Sequence, residues 1–205
     1  MNIFISANNT DAGKTYTTLA LIESISKLGL KVGVMKPIET GVDKYPKDAA
    51  LLLEKVKKFN PSFKDLTVFD ITPIQHNLAA SPFVSGIVNL EKIQNSYKEI
   101  KKLCDVLLIE GAGGILTPVK EDFYMIDFVD FFDAKLFMVF SSKLGMINDF
   151  LLNYYFLKSK KIKYDWAVNI FDDSYFKISH PFIKRFNPLF IQYDLDKITK
   201  KLIGE

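Results

Sequence analysis

A Gly-Lys-Thr triplet, residues 13–15, stands between a short apolar run at residues 3–5 and a helical pattern over residues 16–28. A strand that turns tightly into a helix directs free backbone N–H groups and the positive end of the helix dipole at one point, which suits a triphosphate. Lys14 would place its charge on the β and γ phosphates, and the Thr15 hydroxyl would bind the accompanying Mg²⁺. An ordinary turn before a helix is the alternative, because the standard loop has a glycine where this chain has Asn8.

Short apolar runs alternate with longer helical patterns along the chain, and such alternation predicts crossover connections and a parallel sheet. The predicted strands cover residues 2–6, 32–36, 105–109, 136–141, 166–170 and, weakly, 189–192. The predicted helices cover residues 15–28, 48–58, 90–103, 126–132, 147–158 and 176–186. No repeat or linker divides the sequence. We therefore expect residues 1–205 to form one domain of the α/β class: a doubly wound, mostly parallel sheet with helices on both faces, of the P-loop NTPase type.

The charge pattern argues against a nucleic-acid partner. The 27 basic residues are dispersed among 24 acidic ones, and Arg185 is the only arginine, so bidentate recognition of bases or phosphates is nearly absent. The single cysteine, Cys104, cannot form an internal disulfide, which fits a reducing compartment. The sequence shows no secretory leader and no apolar segment of membrane-spanning length. We expect a soluble, cytoplasmic protein that binds neither nucleic acid nor membrane.

Polar residues follow the second predicted strand. Lys36 would project from the edge of the sheet that holds the phosphate loop, where it could stabilise charge on a transferring phosphoryl group, although a solvated lysine at a strand end is equally common. Thr40 follows shortly after, and its hydroxyl would project from the same edge. Asp48 precedes an apolar helical run, so it could cap that helix or provide an oxygen ligand for Mg²⁺.

Three later segments carry further candidates. Glu110 ends an apolar strand and is followed by three glycines within four residues, as in nucleotide-hydrolysing folds that place a metal-binding carboxylate there. A glycine-rich turn with Glu110 in water is the simpler alternative. The amides of residues 143–148 could bind a carboxylate or form an ordinary strand-to-helix turn. Asn169, at the end of an apolar strand, could contact an adenine edge.

Taken together, the chain resembles the dethiobiotin synthetase family in the order and spacing of five segments: residues 10–15, Met-Lys-Pro-Ile-Glu-Thr-Gly at 35–41, Asp48, Glu-Gly-Ala-Gly-Gly at 110–114, and Lys-Leu-Gly-Met-Ile-Asn at 143–148. The likeness covers about residues 1–170. The Lys-Pro segment together with the last two segments is quite specific to that family. Its members are ligases that use ATP to close a ureido ring from 7,8-diaminononanoate and CO₂ in biotin synthesis.

The resemblance implies that Lys14 and Lys36 are catalytic and that Thr15, Asp48 and Glu110 surround Mg²⁺. It implies that ATP, as co-substrate, is bound by Asp11, Ala12, Gly13, Lys14, Thr15, Tyr16, Asp48, Glu110, Gly111, Ala112, Gly113 and Asn169. It further implies that the diamine contacts Thr10, Thr40, Lys143, Leu144, Gly145 and Asn148. In the family, the segment that matches residues 143–148 helps to hold the substrate carboxylate at a homodimer interface.

Two departures from the family pattern concern the phosphate loop. Ala7 replaces a glycine, so it must keep a negative φ or accept strain, and Asp11 replaces a glutamate.

The main competing function is a switch ATPase of the partitioning or assembly type. Such proteins usually carry a second lysine near the start of the loop, where this chain has Asn8 and Asn9, which favours the ligase. A second alternative is a non-catalytic module that binds nucleotide or nucleic acid. The scarcity of arginine and the predicted acidic metal ligands, Asp48 and Glu110, argue against it.

Overall fold

The computed structural model describes residues 1–204. Within them the β-strands are β1 Asn2–Ala7, β2 Val32–Met35, β3 Ile38–Thr40, β4 Ile74–His76, β5 Val106–Glu110, β6 Pro118–Lys120, β7 Phe123–Tyr124, β8 Lys135–Ser141 and β9 Tyr164–Asn169. The α-helices are α1 Lys14–Ser26, α2 Lys47–Lys57, α3 Val68–Ile71, α4 Pro82–Ser85, α5 Leu90–Lys101, α6 Phe128–Phe131, α7 Met146–Ser159, α8 Ser174–Ile178, α9 His180–Ile183 and α10 Leu195–Ile203.

The central sheet has five strands in the order β2–β5–β1–β8–β9, and every neighbouring pair is parallel. The chain first runs from β1 outward to β2, and it later crosses to the other side of β1 to form β8 and β9. Because parallel crossovers are right-handed, these two directions place the connecting helices on opposite faces of the sheet. The predicted α/β fold, doubly wound and mostly parallel, is confirmed.

The five strong strand predictions are confirmed to within two residues at either end, but two other elements were predicted wrongly. The predicted helix over residues 176–186 is divided into α8, α9 and a 3₁₀ turn, because Pro181 has no N–H to continue a helix from the preceding turn. The weak strand over residues 189–192 makes only an isolated bridge, from Phe190 to Val168 of β9. Asn187, with a φ of 51°, turns the chain just before it.

Several short elements were not predicted. Strands β3 and β4 form a separate parallel pair, and β6 and β7 form an antiparallel hairpin. The C-terminal helix α10 packs against α1 and buries Ile198 and Leu202. The interface between the two helices also contains a buried hydrogen bond, from the Thr199 hydroxyl of α10 to Ser24 Oγ of α1, at 2.8 Å. These elements surround the main sheet without changing its strand order.

The sheet order decides which loops can meet. Strands β2, β5 and β1 are neighbours, so the residues that follow their carboxyl ends lie side by side at one edge of the sheet. Strands β1 and β5 are buried along their whole length, and this burial fixes their register. The register in turn fixes how far the loops after β1 and β5 extend beyond the edge of the sheet. Among residues 1–204 we find no helix with the length and apolar character needed to cross a membrane.

Candidate nucleotide and metal site

The loop between β1 and α1 has the geometry of an anion-binding turn. Gly13 precedes α1 with a φ of 98°, and it has no side chain with which to cap the first turn of the helix. The N–H groups at that end are therefore directed at the space above the loop. A Cβ atom at Gly13 would lie 2.9 Å from Asn169 Cγ, so both the backbone conformation and the close approach of β9 require glycine here.

The ends of β2 and β5 bring a charged cluster next to this loop. Lys36 Nζ lies 2.6 Å from Glu110 Oε1 and 2.8 Å from Asp48 Oδ2. Lys36 and Glu110 are buried, whereas the Asp48 side chain is 45% exposed. Burial alone would lower the pKa of Lys36, but the two carboxylates outweigh burial and raise the pKa, so this lysine is held as an ammonium.

The remaining lone pairs of Glu110 accept hydrogen bonds from α1. The Thr15 hydroxyl donates to Glu110 Oε1 at 2.8 Å, and the Thr18 hydroxyl donates to Oε2 at 2.9 Å. The sequence identified Thr15 but not Thr18. Residues three apart lie on the same face of a helix, and that spacing was the available signal. The carboxylate of Glu110 is therefore fixed by contacts from two elements rather than solvated in a turn.

Lys14 reaches over the loop from the start of α1. Its ammonium donates to the carbonyl oxygens of Asn9 at 3.1 Å and Gly113 at 2.7 Å. Burial lowers the pKa of Lys14 to about 8, and the nearby Glu110 carboxylate opposes part of that shift. Its charge is thus held among backbone oxygens with little compensation, in a position where a phosphate would stabilise it.

The oxygen atoms around Lys36 are of the kind that bind a divalent cation. The oxygen atoms of Asp48 and Glu110, with the Thr15 hydroxyl beside them, converge on the point where a positive charge already lies, the Lys36 ammonium. In the described part of the chain no group of three or more His, Cys, Asp or Glu side chains is arranged to hold a metal. A Mg²⁺ ion held here would therefore need phosphate oxygens and water as further ligands.

One cavity of about 980 Å³ connects these groups. Of the predicted site residues it is lined by Thr10, Asp11, Gly13, Lys14, Thr15, Tyr16, Lys36, Thr40, Asp48, Glu110, Ala112, Gly113 and Asn169. Its lining also includes residues that the sequence did not indicate, namely Glu39, Ala79, Ala80, Ser81, Pro82, Thr117, Pro118, Ile170, Phe171 and Gln192. Most of the predicted residues are thus brought together, and their roles stay predictions.

Six predicted residues do not line the cavity: Ala12, Gly111, Lys143, Leu144, Gly145 and Asn148. Ala12 belongs to the loop but is buried in the core, and the Gly111 N–H donates to Ile5 O of β1 at 2.9 Å. Lys143 lies over the ring of Phe171, 4.7 Å from its centroid, while Leu144 is 88% exposed. Within a single chain Lys143 therefore borders the site from outside, through Phe171, and the other three predicted residues of this segment are not brought to the cavity.

Asn169 has both of its amide atoms engaged within the protein. Its Nδ2 donates to the carbonyl of Ala12 at 3.1 Å, and its Oδ1 accepts from Gln192 Nε2 at 2.7 Å. Gln192 is in turn held by the N–H and carbonyl of Ile170. Asn169 thus supports the phosphate loop, and its predicted contact with the base stays a prediction.

Comparison with known proteins identifies the family. Residues 1–168 match the family model described as an AAA domain. The chain is 41% identical over 186 residues to the ATP-dependent dethiobiotin synthetase of Sulfurovum sp., covering 88% of this chain and 89% of the relative. The corresponding protein of Wolinella succinogenes is 36% identical over 212 residues, covering 98% of each chain.

Solved structures agree on the fold alone. A plasmid partition protein from Borrelia burgdorferi superimposes with a TM-score of 0.59 at 12% identity, covering 99% of this chain and 97% of that one. The MinD cell division protein of Aquifex aeolicus gives a TM-score of 0.52 at 18% identity, covering 98% and 86%. The sequence relatives are far more similar and are matched over most of their length. On that evidence the chain belongs to the ATP-dependent dethiobiotin synthetase family.

Proposed function

We propose that this chain closes the ureido ring of dethiobiotin from 7,8-diaminononanoate and CO₂ at the expense of ATP, as a ligase of biotin synthesis. The observation that carries the proposal is the convergence of Lys14, Lys36 and Glu110, from three separate loops, on one cavity of about 980 Å³. That volume is large enough for a nucleotide and a small second substrate. Membership of the family supplies the identity of that substrate.

The chemistry explains why such a site needs two ammonium groups. One amine adds to CO₂ to give a carbamate, which is a poor electrophile until its oxygen attacks the γ-phosphorus and releases ADP. The second amine then attacks the carbonyl carbon, expels inorganic phosphate and closes the ring. Lys14 and Lys36 would disperse negative charge during phosphoryl transfer, and the cavity would hold the reactants in line. No covalent bond to the protein is required.

Thr15, Asp48 and Glu110 are the residues that would hold Mg²⁺. The ion, when bound, would neutralise charge on the phosphate oxygens and orient the γ-phosphate. Glu110 is positioned for this role by the hydroxyls of Thr15 and Thr18, which hold its carboxylate against α1. Asp48 would reach the same point from the first turn of α2.

A switch ATPase of the partitioning type is the alternative that we disfavour. In such proteins a residue near the start of the loop reaches the nucleotide of a partner subunit. Here Asn8 is tied into its own chain, because its Nδ2 donates to Asp149 Oδ2 at 2.9 Å and its Oδ1 accepts from the Ser141 N–H at 3.1 Å. An amide held in this way is not free to act on another subunit.

The first expected result concerns the dependence of ATP cleavage on the diamine. Purified protein is mixed with Mg-ATP, bicarbonate and 7,8-diaminononanoate, and ADP is followed together with the mass of the product. ADP release should require the diamine, because the phosphoryl acceptor is a carbamate formed from it. An equal rate of ADP release without the diamine would reject the ligase.

The second expected result concerns Lys36. Lys36→Gln should lower turnover by about 100-fold or more, because it removes a positive charge that faces the transferring phosphoryl group. Circular dichroism and a melting curve check that the variant is folded. Lys31→Gln, at the exposed opposite end of β2, is the matched control and should retain full turnover. Near-normal turnover of the Lys36 variant would remove this lysine from the mechanism.

The third expected result is a proton taken up on nucleotide binding. In the free protein burial lowers the pKa of Lys14 to about 8, whereas the negative charge of a bound phosphate would raise that pKa again. Calorimetric titration with Mg-ADP at pH 8.5, in two buffers of different ionisation enthalpy, should therefore report proton uptake, and the uptake from Lys14 should fade towards pH 7.

Lys14→Arg is the control for this measurement, because the guanidinium stays charged throughout that range and any remaining uptake belongs to other groups. Equal uptake in the wild-type protein and the variant would show that Lys14 is not the group that titrates.

The fourth expected result concerns assembly. We propose that residues 143–148 meet the substrate carboxylate at a homodimer interface, and the contact of Lys143 with Phe171, at the border of the cavity, supports this. Nearby, the outer face of α7 exposes Leu152 and Tyr155, and Leu152 also lines a second cavity of about 370 Å³. Burial of these apolar side chains would favour a second copy of the chain. Sedimentation velocity at micromolar concentration should detect a dimer, and Leu152→Asp should shift it to monomer. A wild-type monomer would exclude this arrangement.

A further inference from the structure

The first turn of α2 lacks a cap of its own. Its N-cap residue is Pro46, whose side chain cannot accept a hydrogen bond, so the N–H groups of the first turn need an acceptor from elsewhere. Glu39 in β3 supplies one. Its Oε1 accepts from the Asp48 N–H at 3.1 Å, and its Oε2 accepts from the Ala49 N–H at 2.9 Å. The helix is therefore capped by a carboxylate from a different element.

This way of capping the helix requires the burial of a carboxylate, which is energetically unfavourable. Glu39 is only 6% exposed, and burial removes water from its carboxylate, so its hydrogen bonds to α2 must replace that hydration. The use of a buried Glu39 is consistent with a requirement other than helix stability.

That requirement is found one residue into the helix. The backbone N–H of Asp48 is bound by Glu39, and its side chain extends in another direction to Lys36 Nζ, 2.8 Å from Oδ2. The Asp48 side chain is 45% exposed, so packing alone does not hold it. Its position follows from the first turn of α2, and that turn is held by Glu39.

We propose that Glu39 is a positioning residue which fixes Asp48 as a ligand for the divalent cation. This inference rests on the proposed function, in which Asp48 belongs to the metal set. Glu39 would act through Asp48 and not touch the metal itself, because both of its oxygens are engaged by the N–H groups of α2. The competing role is direct contact with the diamine, since Glu39 also lines the main cavity.

The test measures metal affinity rather than turnover. Mn²⁺ is titrated into protein that holds ADP, and free Mn²⁺ is followed by electron paramagnetic resonance, for the wild type, Glu39→Ala, Asp48→Asn and the double variant. Glu39→Ala should weaken Mn²⁺ binding by about tenfold, as is typical when the support of a metal ligand is removed. The affinity for ADP without metal should not change.

The double variant decides whether Glu39 acts through Asp48. If it does, the double variant should bind Mn²⁺ with the same affinity as Asp48→Asn. Once the Asp48 carboxylate is absent, Glu39→Ala can no longer displace it. Two outcomes would overturn the proposal: unchanged Mn²⁺ affinity in Glu39→Ala, with or without a raised KM for the diamine, or a double variant that binds Mn²⁺ about tenfold more weakly than Asp48→Asn does.

Two further variants keep the test interpretable. Glu39→Gln retains one acceptor oxygen, so it should fold and show a smaller loss of Mn²⁺ affinity if the alanine variant does not fold. Glu54→Ala, in an exposed pair with Lys58 on α2, should leave Mn²⁺ binding unchanged. Because the titration contains no diamine, it reports the coupling between Glu39 and Asp48 even if ring closure is not the reaction.

Discussion

The ammonium of Lys36 lies between the carboxylates of Glu110 and Asp48, and the other parts of the site are arranged around this contact. Glu110 is fully buried, and a buried carboxylate without a partner is strongly destabilising. The pair therefore ties the end of β2 to the end of β5. The hydroxyls of Thr15 and Thr18 extend the network to α1 and so fix the height of the phosphate loop above the sheet.

In the proposed function the carboxylate oxygens of Asp48 and Glu110 would serve two cations in turn, first the Lys36 ammonium and then Mg²⁺. In the protein alone, Asp48 and Glu110 neutralise Lys36, whereas Lys14 donates to the backbone carbonyls of Asn9 and Gly113. A bound metal triphosphate would bring both a competing cation and a large excess of negative charge, so both lysines would gain partners at the same time. Electrostatics thus favours binding of the complete magnesium nucleotide over either component alone.

The sequence predicted the parts of the fold that depend on local pattern. Apolar runs located the strands of the main sheet, and the rule that ligands lie beyond the carboxyl ends of parallel strands located Lys14, Lys36 and Glu110. Residues that act through distant partners were missed. Glu39 and Gln192 have no local signature, because each becomes significant only when β3 meets α2 or when the C-terminal segment meets Asn169. Asp48 was correctly noted at a helix start, but the structure gives the capping role to Glu39.

The phosphate loop tolerates its departures from the family pattern because side chains hold its path. Ala7 ends β1 in register with Val139 and is not among the residues with positive φ, so of the two alternatives, a negative φ or strain, the first applies. Asp11 takes the left-handed conformation with a φ of 55°, which aspartate accepts more readily than most residues. Asn8 is held by β8 and α7, and Asn169 holds Ala12 from β9. A loop with less glycine is in this way kept in place by contacts from the neighbouring strands and α7, which replace the conformational freedom that glycine would have supplied.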